Sequence, residues 1–500
     1  MDRRRFLIGL GALALPGISF SSYPFSLGVA SGYPTSDGFV LWTRLAELMA
    51  PLAVRVRWEI AADEGMKSVI FSGETTAEPA WGHSVHVEVK GLEPDRWYWY
   101  RFNAAGVESA IGRTRTAPAA GAMPGRLRFA FGSCQQYEQG YFGVYRHIVA
   151  DAPDLMVFLG DYIYESSWGR DHVRSHGALE PYTLADYRAR HALYRSDPDL
   201  QRAHAACPWI FTWDDHEVDN DYADDRPEDG MPREQFLERR AAAYRAYYEH
   251  MPLPASMRPD GARMRIHTGL DWGGLARFHV LDTRQYRTWQ ACKRQNRSGG
   301  SNTVDVEQCP QLASPDRSML GRAQERWLDA SLAGSRARWN VLAQTTRMAQ
   351  VDQQPGPGRR AWTDGWDGYP ASRERVLGSL VKSPNPVVIG GDVHSFHVNE
   401  LKADFDDQKS STLASEFVGT SISSQHGGQE WLDKRRPANP HLQLADGRYR
   451  GYVRAELTPK RMLVDLRAME SVRTRDEPCT TLASFVVEDG RAGPVKASGP

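Results

Sequence analysis

The hydrophobic period of the chain changes along its length, and each change marks a different kind of element. Between residues 23 and 116 the period is two. Val54, Val56, Trp58 and Ile60 alternate with Arg55, Arg57 and Glu59, and Val85, Val87 and Val89 repeat the pattern. GLEPDRWYWYRF, from Gly91, adds a turn and then an aromatic strand. Such alternation predicts half-buried antiparallel strands, so 23–116 is expected to form an N-terminal all-β sandwich domain.

A Pro/Ala/Gly linker, residues 117–125, ends this regime, and apolar runs replace alternation. LRFAFGSC, from Leu127, ends at Cys134. Phe142, Tyr145, Ile148 and Val149 follow at helical spacing. DLMVFLGDYIYE, from Asp154, then runs through Leu155, Met156, Val157, Phe158 and Leu159 before Gly160 and Asp161. Strands that are apolar on both faces belong to parallel sheets, and strand–helix–strand is a βαβ unit. Further apolar strands are expected at 209–211, 278–281, 339–342 and 386–389. Helices are expected over 181–206, 233–250 and from 324 to 332. The tail from Gly451 returns to period two, which suggests an antiparallel second sheet. Residues 126–500 are therefore read as one α/β domain.

The N-terminus reads differently. Arg3-Arg4-Arg5-Phe6-Leu7 precedes a short apolar run ending at Leu15. That run is below the ~20 residues a membrane span needs. Residues 1–22 resemble a twin-arginine export signal, which implies the twin-arginine translocation machinery as a partner and a periplasmic or secreted location. A net charge of −1 over 500 residues argues against a bulk nucleic-acid binder. Of five cysteines, Cys292 and Cys309 bracket a polar loop and make a plausible disulfide in an exported protein. Cys207 and Cys479 either pair or stay free.

Candidate chemistry gathers where strands end. Cys134, Asp161 with Tyr164, Asp215 with His216, and Asp392 with His394 each follow an apolar run. Strand ends along one edge of a parallel sheet converge, and open α/β sheets build their sites there. Thiolate and phenolate suit a ferric ion, and carboxylates suit calcium. Asp161 can bridge two cations, and such a pair would clamp a phosphate and activate water.

These segments carry a resemblance. GDYIY, DDHE and GDVH resemble the GDxxY, GNHD/E and GHxH segments of calcineurin-like metallophosphoesterases and purple acid phosphatases. With LGVASGYPTSDGFVLWTRL, FGSCQQYEQGYFGVYRHI, LDTRQYR and WDGYP, the chain from about residue 25 onward resembles the PhoD-like alkaline phosphatase family. The resemblance implies a four-layer αββα metallophosphoesterase fold behind a fibronectin/Ig-like sandwich. It also implies an exported phosphatase and phosphodiesterase with ferric iron and calcium, in which a hydroxide held between the cations attacks phosphorus. Cys134, Tyr164 and His394 would bind iron. Asp215 and Asp392 would bind calcium, and Asp161 would bridge. His216 would touch the scissile phosphate and protonate the leaving oxygen. Gln344 stands where related sites carry a His, and Asp219, Asn220 or Asp221 could add calcium ligands. The expected partners are small phosphate esters, and the expected state is a monomer. The rival readings are a phospholipase D-like diesterase of the same fold and a non-catalytic phosphate- or metal-binding export protein.

Overall fold

A computed structural model describes residues 22–45, 52–293 and 300–497. The expected export signal, apart from its last residue, lies outside these. Among the described residues no helix is long and apolar enough to cross a membrane.

Two sheets organise the α/β part. In the first, Leu127–Gly132, Leu155–Leu159 and Trp209–Thr212 lie side by side and parallel, with Leu155 opposite Phe129 and Met156 opposite Trp209. In the second, Ala276–Val280, Trp339–Ala343, Pro386–Gly390 and Thr412–Val418 are parallel. The apolar runs are explained by burial on both sides of each strand. Phe278, Val341 and Ile389 join Phe129 and Phe131 in the core between the sheets, where the Phe129 and Phe278 rings meet edge to face at 5.2 Å. The alternate residues Leu342 and Val388 face the other way. They pack with Leu328 and Leu332 of the helix Gly321–Ala333 and with Val376, Leu377 and Leu380 of the helix Pro370–Leu380.

Two expectations are corrected. The tail strand Arg450–Leu457 builds no sheet of its own. It pairs antiparallel with Leu127–Gly132 and, with Arg461–Met469 and Thr480–Glu488, extends one side of the first sheet, which counts ten strands in all. The loaded strand ends do not share one sheet either. Asp392 and His394 follow Pro386–Gly390 in the second sheet, while Cys134, Asp161 and Asp215 follow strands of the first.

The N-terminal strands form two sheets. Val54–Ala61, Val69–Ala77 and Trp97–Ala104 belong to a five-stranded one. Val29–Thr35, Gly38–Arg44 and Ser84–Val89 instead continue the first sheet past Trp209–Thr212, with Gly32 opposite Trp209. A side chain at Gly32 would meet the Trp209 and Pro252 carbonyl oxygens at 2.7 Å, so the approach requires glycine. Cys292 and Cys309 form a disulfide, while Cys134, Cys207 and Cys479 are free.

Candidate metal centre

Three of the four loaded strand ends turn through left-handed backbone. Cys134, Asp161, Asp392 and His394 all have left-handed backbone, with φ of 60°, 56°, 66° and 52°. Non-glycine residues rarely adopt it, and clusters of such strain mark functional sites. The glycines before them are required by crowding. A Cβ on Gly160, itself at φ 96°, would lie 2.7 Å from Asp214, and one on Gly391 would lie 2.2 Å from the Ser133 hydroxyl. Glu217 holds the Asp161 turn by accepting from the backbone N–H groups of Asp161, Tyr162 and Asp214.

The turns bring the side chains together. Ligand atoms of Cys134, Asp161 and His394 all lie within 4.8 Å of one another, as do those of Asp161, Asp215 and His216. A third such group joins Asp215 to Asp221 and Asp364. The Tyr164 hydroxyl donates to Asp161 Oδ2 at 2.9 Å and lies 3.2 Å from His394 Nε2. His394 Nδ1 donates to the Gln425 carbonyl at 2.7 Å, which leaves Nε2 as the free acceptor facing Tyr164. Asp392 reaches the same region from the second sheet, and its buried Oδ2 has no hydrogen-bond partner, like Oδ1 of Asp161.

Electrostatics show what this arrangement lacks. Burial, followed by the charges of Asp215, Asp214 and Glu217, pushes the Asp161 carboxyl far above the usual carboxylate range despite relief from His216. Burial, then Asp214 and Asp215, does the same to Asp392. Burial, then Asp161, raises both the Cys134 thiol and the Tyr164 phenol. Burial pulls His394 down to about 3. Carboxylate, thiol, phenol and neutral imidazole converge with no resident positive charge among Cys134, Asp161, Tyr164 and His394. A cation placed there would reverse every one of the upward shifts. The donor set therefore fits a metal centre.

Asp215 and His216 sit beside this group under different control. Burial opposes the Asp215 charge, but Arg284, followed by His216, holds its carboxyl well below the usual range. Burial opposes the His216 cation, yet Glu165, then Asp215 and Asp161, keep the imidazolium well above its ordinary value. His216 Nδ1 donates to Glu165 Oε2 at 2.7 Å, and the ring lies 4.1 Å from that of Tyr164.

Two neighbours, Glu165 and Asp364, were not legible as site residues. Glu165 follows Tyr164 directly, but nothing in its spacing signals a partner at His216. Asp364 belongs to a loop, where it receives Arg284 Nη2 at 2.9 Å and Arg287 Nη1 at 2.8 Å. Those two arginines are thus structural clamps within an acidic cluster. Asp221 accepts from the Ser301 N–H, and its own N–H donates to Asp215 at 2.7 Å. Asp219 is committed elsewhere, to Arg239 and the Glu228 N–H. Gln344 is buried and accepts from Thr346 N–H and Trp366 Nε1 while donating to the Thr346 carbonyl.

Comparison with known proteins now places the chain. Residues 129–466 match the PhoD-like phosphatase description, and residues 12–118 match the description of its N-terminal domain. The chain belongs to the PhoD-like phosphatase family. This PhoD-like phosphatase is 44% identical to alkaline phosphatase D of Bacillus subtilis (strain 168), over 99% of its own length and 89% of the relative's. A solved structure titled "Structure of PhoD" superimposes with a TM-score of 0.90 at 45% identity, covering 97% of this chain and 94% of that one. The protein is accordingly a phosphoric ester hydrolase of the phosphatase/phosphodiesterase type, and it has the mixed α/β fold of that neighbour.

Proposed function

We propose that the protein hydrolyses phosphate esters at a mixed iron–calcium centre. Cys134, Tyr164 and His394 would hold ferric iron, Asp215 and Asp392 would hold calcium, and Asp161 would bridge them. The observation that carries this reading is the sharing of Asp161 between two ligand groups, each compact to 4.8 Å. Thiolate and phenolate favour the ferric ion, and the all-carboxylate side favours a hard divalent cation. Asp221 and Asp364 offer a further oxygen-rich position beside Asp215. When bound, the cations would supply Lewis-acid charge to a phosphoryl group and lower the pKa of a coordinated water.

The chain's own residues do the rest. The Gln425 carbonyl fixes the His394 tautomer, and Glu217 fixes the Asp161 turn. His216, held as imidazolium by Glu165, presents Nε2 as the acid that protonates the leaving oxygen. The core between two mixed sheets, with helices on the outer face of the second, supports a four-layer αββα reading. Two N-terminal sheets sharing a buried core support a fibronectin/Ig-like sandwich over 23–116. The arginine pair and short apolar run at the N-terminus support export by the twin-arginine route to the periplasm or beyond.

Elemental analysis of purified protein, together with rates on p-nitrophenyl phosphate, bis-p-nitrophenyl phosphate and a phospholipid, tests the reading. Iron and calcium should co-purify, and one of the ester classes should turn over. Protein without either metal, or with zinc alone, would overturn the assignment.

A further inference from the structure

A cavity of about 340 Å³ opens beside Asp392 and His394 and is lined also by Arg347, Trp362, His426 and Trp431. Arg347 is the unusual member. It is only 5% exposed, yet among the described residues it makes no hydrogen bond and no ion pair, and its Nε is buried without a partner. Arginine is almost never buried unless paired, because five donors lose water and gain nothing. The carboxylates around it are committed elsewhere. Asp367 receives Arg373 Nη1 at 2.5 Å and the Val351 N–H at 3.0 Å. Glu416 receives Asn399 at 2.7 Å and the Ala349 N–H at 3.0 Å. Asp392 is a proposed calcium ligand. The guanidinium therefore lines a cavity continuous with the centre, with its donors unused.

The side of the centre is also informative. His216, the proton donor to the leaving oxygen, is not among the residues lining this cavity, whereas Asp392 and His394 are. The cavity therefore serves the ester group that stays on phosphorus. Two indole walls suit the carbon frame of that group, and a planar fork of donors suits an anion at its end.

We propose that Arg347, Trp362 and Trp431 form a subsite for a second anionic group, phosphate or carboxylate, carried on the retained alcohol of a phosphodiester. This rests on the phosphoric-ester reading above and narrows it to diesters with a further negative charge near the scissile phosphorus.

The test uses the metal-loaded enzyme and three p-nitrophenyl phosphodiesters whose second alcohol is ethyl, 2-carboxyethyl or 2-phosphonooxyethyl. In the wild type, kcat/KM for at least one charged diester should exceed that for the ethyl diester by about tenfold or more, carried mainly by KM. The two charged arms tell carboxylate from phosphate. Arg347→Met should bring that ratio close to one, and Arg347→Lys should lower it by about threefold or more, since a point charge replaces the fork. Because the guanidinium has no partner among the described residues, Arg347→Met should melt no lower than wild type. A wild type without preference, or a preference that survives Arg347→Met, overturns the subsite alone. If Arg347→Met does not fold, an unchanged ratio in Arg347→Lys overturns it. A wild type that cleaves none of the three diesters overturns the ester-hydrolase reading and the subsite with it.

Discussion

Glu165→Gln isolates the part that His216 plays in leaving-group departure. Glu165 is fully enclosed and meets His216 Nδ1 at 2.7 Å, outside the proposed metal-ligand sets. Gln keeps an oxygen that can accept from Nδ1 but removes the negative charge that favours the imidazolium. A hydrogen bond to a charged group contributes about 1.5–3 kcal/mol, which corresponds to roughly 10- to 150-fold in a rate that depends on it. The loss should follow the leaving group. An alkoxide must be protonated as it departs, whereas p-nitrophenolate leaves well unprotonated. We therefore expect kcat for an alkyl phosphodiester to fall by about 10- to 100-fold in Glu165→Gln, and kcat for bis-p-nitrophenyl phosphate by less than about threefold. Steady-state rates on the two substrates, with metal content checked in parallel, measure the difference. Equal losses on both substrates at full metal occupancy would refute the acid role and reduce Glu165 to scaffolding.

Three further outcomes follow from the same geometry. Asp161→Asn should lower turnover by orders of magnitude, yet in chelator-treated protein it should raise the melting temperature, since a buried carboxylate facing other acids is removed; calorimetry and rates check both halves. Cys134→Ser should lose iron while keeping its fold, as read by elemental analysis and circular dichroism. His191 and His279 are fully buried, and burial pulls them down to about 3 and about 4. Their neutral forms belong to the folded state, so stability is intact above pH 6.5 and falls as pH drops toward those values, on the order of 3–5 kcal/mol each; urea unfolding between pH 7 and 4 should show the decline, and flat stability would contradict it.

Strand ends were the most legible feature of the sequence. Apolar runs stopping at Cys134, Asp161, Asp215 and Asp392 mark where buried strands end, and the helix Arg233–His250 lies where it was expected. Sheet membership was not legible. Pro386–Gly390 and Leu155–Leu159 are equally apolar, and nothing local tells which neighbours each will pair with. The pairing of Arg450–Leu457 with Leu127–Gly132 spans most of the catalytic region, and period two records only that one face differs from the other. Loop residues were harder still. Asp364 and Arg284 meet across 80 positions in segments without periodicity, and Arg347 has no partner among the described residues that could have announced it.

The strand Val29–Thr35 lies against Trp209–Thr212, so the N-terminal strands are more than an appended module. Without them, the strand that leads to Asp215 and His216 would become an open border with bare amide and carbonyl groups, ready to recruit a strand from another chain. The N-terminal region thereby acts as a seal on the hydrolase sheet, and the two parts of the molecule have to be assembled together.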